Sequence, residues 1–310
     1  MLDPINFSIR TLALAAVCGW PVALPGQTQE VSQVIGDFQP QGPVLGGAAA
    51  AIDKSHFNLF KPTPSEHLRD MNALFNGPYT VDAGYVQLET VAVLYSYDHD
   101  TAGGADSTTK YFSFGSTALR LGLLNNVDVG ATIAPHIRVR TRDRVSGAST
   151  TQNGFGDVTL RAKINLWGND GGSTAFGLSP FLKLPTNQDG LGNRYVEGGL
   201  GLPLAIELPW EWWLGVTPEF HCFHNVSGGG CHLNFASTAF LWHKIAGDFS
   251  GYIESSNWIS TERGSPWIST VDLGLTYVWG THVQLDAGAY IGVTRAAADI
   301  TPFLGISFRF

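Results

Sequence analysis

Between residues 84 and 310 apolar and polar side chains alternate with a period of two, the spacing that sends successive side chains to opposite faces of a β-strand. Residues 282–294 show it most plainly. Val283, Leu285, Ala287, Ala289, Ile291 and Val293 form one wholly apolar face, and His282, Gln284, Asp286, Gly288, Tyr290, Gly292 and Thr294 form the other. In a chain that is 44% apolar, six apolar residues in six arise by chance in about 1 register in 140. Residues 156–166 repeat the pattern, with Val158, Leu160, Ala162, Ile164 and Leu166 opposed to Asp157, Thr159, Arg161, Lys163 and Asn165.

Twelve such segments are expected, at 84–97, 111–123, 127–141, 154–167, 174–185, 194–208, 212–224, 231–243, 247–259, 267–279, 282–294 and 301–310. Short links at 124–126, 168–173, 209–211, 244–246 and 280–281 alternate with longer ones at 98–110, 142–153, 186–193, 225–230, 260–266 and 295–300. An even strand number with tight turns at one end and long loops at the other predicts an all-β, antiparallel up-and-down transmembrane barrel with both chain ends in the periplasm. A barrel is required because hydrocarbon offers no hydrogen-bond partners, so every strand edge must be closed. The rival is a soluble β-sandwich, whose outward faces would be polar and whose charged fraction would be near 25%. Here charged residues are 14% and the presumptive outward faces nearly lack them.

Composition narrows the function classes. After the N-terminus no apolar run reaches the ~20 residues a membrane-spanning helix requires. A net charge of −8 argues against a nucleic-acid partner, whose phosphates call for a basic face. Tryptophan favours the membrane–water interface, and Trp167, Trp210, Trp212, Trp213, Trp242 and Trp279 fall at short-turn ends, Trp258 and Trp267 at a long-loop end. The chain finishes Leu304, Ile306, Phe308, Phe310 on one face, an aromatic ending of the kind that barrel-assembly machinery is thought to read.

The first 26 residues read as a secretory signal, with Arg10, an apolar core at 11–17 and Leu24-Pro25-Gly26 before the cleavage point. A lipoprotein signal ending at Cys18 is the alternative, opposed by Val17 where a small residue is normal. Residues 27–83 break the alternation and form a pre-barrel segment. Thr63-Pro64-Ser65-Glu66 followed by Leu68, Met71 and Phe75 predicts a short amphipathic helix near 64–75, plugging the lumen or lying in the periplasm.

If apolar faces meet lipid, the opposite faces line the pore. Its candidate lining residues are Glu89, Arg120, Arg138, Arg140, Asp157, Arg161, Lys163, Lys183, Glu219 and Asp286. The sharpest feature is the ladder Arg138, Arg140, Arg142, Arg144 at strict i, i+2 spacing. It would draw anions inward, or pair with acids on a neighbouring strand, a hairpin centred near 147–148 setting Arg138 opposite Asp157. Cys222 and Cys231 flank a glycine tip beside His221, His224 and His232. An exported chain favours a cross-strand disulfide; free thiols and zinc are the alternatives, and pairing the cysteines would set His221 opposite His232 on the other face. The nucleophile, zinc-protease and phosphate-loop motifs are absent, so no catalytic residue, metal or cofactor is assigned.

The chain resembles the outer-membrane barrels of the meta-pathway phenol-degradation family. The resemblance rests on residues 77–84 (Gly-Pro-Tyr-Thr-Val-Asp-Ala-Gly) followed by Gln87-Leu88-Glu89, on Gly154-Phe155-Gly156-Asp157 leading to Lys163-Ile164-Asn165-Leu166-Trp167-Gly168, on Lys183-Leu184-Pro185-Thr186 and on Ser260-Thr261-Glu262-Arg263-Gly264. It covers about 78–310 and departs at Leu74-Phe75-Asn76-Gly77, where members carry an Asp-Arg-Pro-Asp run. The resemblance implies passage of a small solute, an aromatic compound or organic anion, across the bacterial outer membrane. The other readings are a non-conducting structural barrel and a barrel hydrolase.

Overall fold

The computed structural model describes residues 53–69, 77–101, 106–225 and 229–310; the signal region lies outside them. Fifteen strand segments form one sheet: β1 (Val86–Asp100), β2 (Ser107–Leu124), β3 (Val127–Ile133), β4 (His136–Asp143), β5 (Ser149–Gly154), β6 (Val158–Trp167), β7 (Thr174–Leu184), β8 (Glu197–Gly201), β9 (Leu204–Glu207), β10 (Trp212–His224), β11 (Cys231–Ala246), β12 (Phe249–Ser260), β13 (Ile268–Trp279), β14 (Val283–Gly292) and β15 (Ile300–Arg309). Both β3 and β4 pair with β2, and both β8 and β9 pair with β7 and β10, while β5 and β6 pair with β4 and β3. Each of these three couples is one interrupted strand. The wall therefore has twelve antiparallel strands, and β1 pairs with β15 as well as β2 to close it. Two interruptions contain prolines, Pro135 and Pro203, which have no N–H to give a ladder.

Polarity is inverted relative to a soluble protein. Arg120, Lys163, Lys183, Glu89 and Asp272 are buried inside, whereas Leu119, Leu182, Leu273 and Leu304 are about half exposed on the outer surface. Only a surrounding hydrocarbon phase makes that arrangement favourable, so the barrel sits in a bilayer, and closed antiparallel barrels are the outer-membrane solution.

The alternation is not continuous, and its breaks are aligned. Lumen-facing positions on β1 run Gln87, Glu89, Val91 and then Leu94, Ser96, Asp98; on β2 they run Tyr111, Ser113 and then Ser116, Ala118, Arg120. Along β3 and β4 they run Asp128, Thr132, Ala134 and then Ile137, Val139. Each strand skips one extra residue at the same height. Ala92 lies in a register shift against β15, Gly115 takes a left-handed φ of 69°, and Pro135 packs against Gly115.

That shift corrects two readings. Carrying one phase through 127–141 puts Arg138 and Arg140 in the lumen, but the break at Ala134-Pro135 turns Ile137 and Val139 inward and leaves Arg138 and Arg140 exposed on the outside. Nor does Arg138 face Asp157: it pairs with Asn153, because Asp143 accepts hydrogen bonds from the Val145 and Ser146 N–H groups and tightens the hairpin turn. The tryptophan belt is also thinner than expected. Trp167, Trp210, Trp212, Trp267 and Trp279 are exposed, but Trp213, Trp242 and Trp258 point inward and are buried.

Ahead of the barrel, Ser65–His67 form a single 3-10 turn and Leu68 is extended, so no amphipathic helix starts at 64; Met71 and Phe75 lie outside the described residues.

Candidate functional site

At mid-height the lumen is crossed by ion pairs that the strand registers dictate. Asp128 and Lys163 are direct cross-strand neighbours on β3 and β6. Arg120 donates to Glu89 Oε1 at 3.0 Å and also to Asp128. Arg161 donates to Glu219 Oε1 at 2.7 Å with its guanidinium 4.7 Å from the Phe181 ring centre, and His221 lies 3.2 Å from the second Glu219 oxygen. The β12–β14 wall differs: Glu254 and Asp272 stand opposite one another and share the Ser256 hydroxyl, while Asp286 accepts from Gln284. None of these three carboxylates is within ion-pair distance of a cation among the described residues. Of the ten lining candidates, Glu89, Arg120, Asp157, Arg161, Lys163, Lys183, Glu219 and Asp286 are buried inside.

Towards the loop end the inner wall becomes apolar. One cluster joins Val91, Leu94, Tyr111, Ile137, Val139 and Phe303, with Leu191 reaching in from the 185–196 loop. A second joins Phe223, Trp258, Ile268 and Ala297. The 185–196 loop is held down by Asp157, which accepts from the Thr186, Asn187 and Asn193 N–H groups and from the Asn187 amide at 2.7 Å. Lys183, 3.8 Å away, balances its charge. Asp157 thus anchors a loop as well as facing the interior, a role its strand phase does not disclose.

Aromatic rings lie flat against the wall because glycine faces them across the strand pair. Tyr252 covers Gly274, Phe240 covers Gly215 and Phe303 covers Gly288, each pair in direct register or one residue from it. A Cβ at any of the three would strike the ring.

The end carrying the chain termini of the barrel is crossed by residues 77–84. Arg120 donates to the Tyr79 carbonyl, Asn165 to that of Pro78 at 2.9 Å, and the Val81 N–H to Asp128 at 2.9 Å. Tyr79 packs with Ala205, Trp213, Phe240, Trp242 and Tyr252 on the far wall. The Asp82 carbonyl comes so close to Gly122 that no side chain fits there. Beneath lies a network that sequence reading missed. Asp82 contacts Lys54, Arg69 and Arg309, and Asp170 contacts Lys54 and Arg69 at 2.9 Å each. Burial alone would raise the Asp170 carboxyl, but Arg69, the Asn125 amide and Lys54 outweigh it and hold it below the usual carboxylate range. Lys54 and Arg69 had no strand phase to flag them.

Cys222 and Cys231 are free thiols on the outer face. They are not directly opposed: Cys222 pairs with Leu233 and Cys231 with His224, so the thiols are diagonal neighbours. The same two-residue offset sets His221 against Asn234 and not against His232. Among the described residues no group of histidines, cysteines and carboxylates is arranged to hold a metal.

An outer membrane channel from Pseudomonas putida F1 has a similar structure, with TM-score 0.50 and 12% identity over 73% of this chain and 95% of that one. The CymD monoaromatic hydrocarbon channel matches at TM-score 0.41 and 8% identity, over 73% and 87%. The translocator domain of the autotransporter NalP from Neisseria meningitidis matches at 0.46 and 12%, over 73% and 88%. At 12% identity the likeness to the P. putida channel speaks for the fold alone. No curated protein matches the chain by sequence. The family model described as "Putative MetA-pathway of phenol degradation" matches residues 75–310, and the chain belongs to that outer-membrane barrel family.

Proposed function

We propose that the barrel is a channel for small solutes with an aromatic or otherwise apolar face. The observation that carries this reading is the stacking of two unlike linings: an apolar, aromatic inner wall at the loop end above a belt of charges at mid-height. A channel for inorganic ions has no use for Leu94, Ile137, Phe223 and Trp258 inside it. An amphipathic solute would desolvate against them before meeting the polar belt. The channel resemblance of the P. putida protein and of CymD agrees with this reading. Anion attraction by Arg138 and Arg140 forms no part of it, since both lie outside, and buried carboxylates outnumber buried cations. The reading assigns no catalytic step. Assembly would use the barrel-assembly machinery acting on the aromatic last strand.

The closed terminal-end mouth favours one further reading, a barrel that conducts nothing until residues 77–84 move. Planar-bilayer recordings compare the full chain with one beginning at residue 84. The channel reading expects small or flickering conductance from the first and a larger, steady conductance from the second, with benzoate-type or phenolic solutes blocking the current in a concentration-dependent way. Absence of conductance from both overturns it in favour of a structural barrel.

A further inference from the structure

The arginine ladder that misses the lumen forms a surface of its own. Arg138, Arg140 and Arg142 project outward from β4, and Lys110, directly opposite Arg140 on β2, joins them. None of the four has a carboxylate within ion-pair distance among the described residues, whereas Arg144, above them, is occupied by Asp106 at 3.5 Å and His99 at 3.0 Å. Like charges directly opposed across a strand pair repel. A barrel with ten buried carboxylates to spend inside leaves this cluster unbalanced on its outer face.

Its height says what can balance it. Outward positions from Val127 to Ile133 are apolar or small, and with Pro135 they cover eight residue steps. At ~3.3 Å per residue and a tilt near 40°, that is about 20 Å of height, close to the ~25 Å apolar band of an outer-membrane barrel. Arg138 begins immediately above the band, beside the outward aromatics Phe112 and Tyr95 on the neighbouring strands. This is the headgroup layer on the side away from the start of β1 and the end of β15, the outer leaflet in the orientation outer-membrane barrels share. Guanidinium groups suit phosphate because they bind it bidentately.

We propose that Lys110, Arg138, Arg140 and Arg142 dock the phosphorylated headgroup of an outer-leaflet glycolipid. Three arginines at i, i+2 spacing put charges about 7 Å apart along the strand, suited to a headgroup bearing more than one phosphate. The acyl chains would lie along the outward face below, against Phe112, Phe114 and Ile133, all exposed there or partly so.

The test uses the full chain in zwitterionic micelles, titrated with diphosphoryl lipid A, lipid A stripped of phosphate, and inorganic phosphate, with binding read by native mass spectrometry and by the rise in thermal unfolding temperature. Diphosphoryl lipid A should bind, the stripped lipid about tenfold or more weakly, and binding should fall with salt. Changing Lys110, Arg138 and Arg140 together to Gln should weaken the phosphorylated lipid by a similar factor, and changing both arginines to Lys, which keeps the charge and loses the paired donors, should weaken it less. Equal binding of stripped and phosphorylated lipid overturns the proposal without any variant. Unaltered binding by the Gln variant overturns it as well. Displacement of the lipid by millimolar inorganic phosphate would mean a free-anion site and overturn the lipid assignment.

Discussion

Arg120 is fully buried and holds two carboxylates, Glu89 and Asp128, besides the Tyr79 carbonyl. Changing Arg120→Met keeps the length of the stem and removes the charge, leaving both buried acids without their guanidinium. Breaking a buried pair by removing one partner costs roughly 3–5 kcal/mol, because the remaining charge is uncompensated, whereas an exposed pair is worth ~0–1 kcal/mol. Two stranded carboxylates put the expectation at the upper part of that range, about three to three and a half powers of ten in the folding equilibrium. Urea-driven unfolding of the barrel refolded into micelles, followed by tryptophan fluorescence, measures it. A companion chain with Arg120→Met, Glu89→Gln and Asp128→Asn together should recover most of the loss, since neutral amides of the same shape can still hydrogen-bond. A single variant that costs under about 1 kcal/mol would mean solvated charges. The buried ion-pair belt at mid-height would then be wrong.

Replacing Gly274 with Val should drive the Tyr252 ring off the wall and into the lumen, lowering single-channel conductance; unchanged conductance would refute the glycine–ring joint. Asp170 has a folded-state affinity for protons below that of the unfolded chain, so its contribution is present above the ordinary carboxylate range and is lost as pH falls through its depressed value. Acidification towards pH 3 should therefore loosen the 53–84 segment and raise conductance, and Asp170→Asn should abolish that pH step. Under oxidising conditions the neighbouring Cys222 and Cys231 thiols are expected to join; peptide mapping after alkylation without reductant should show no label on either, and label on both would refute it.

Most of the barrel was legible because a wall wetted by lipid on one side and by polar groups on the other enforces a two-residue period along each strand. That period found all twelve strands, and eight of the ten side chains it places on the inner face are buried. It failed where the period itself slips. No local signal other than Gly115 and Pro135 marks the place where the faces exchange, and both residues also occur in ordinary strands and turns, so Arg138 and Arg140 were assigned to the wrong side. Hairpin register failed for a similar reason. The side chain of Asp143 sets the turn, and a two-residue error in where the hairpin folds becomes a four-residue error in register, moving Arg138 from Asn153 to Asp157. The mouth network was illegible because Lys54, Arg69, Asp82 and Asp170 meet only through tertiary contact.

The coincident slips on β1, β2 and β3–β4 divide this side of the cylinder into two storeys that share no column of side chains. Below the seam, a substitution that alters the passageway is answered by a hydrocarbon-facing neighbour; above it, the residues beside each passageway position address the cell's surroundings. The storeys can therefore diverge separately. Removing a single residue from one strand at the seam would swap its upper faces, carrying arginine into the interior and leaving Ile137 and Val139 outside among sugars and phosphates, so the seam holds only while all its strands keep their extra residue together.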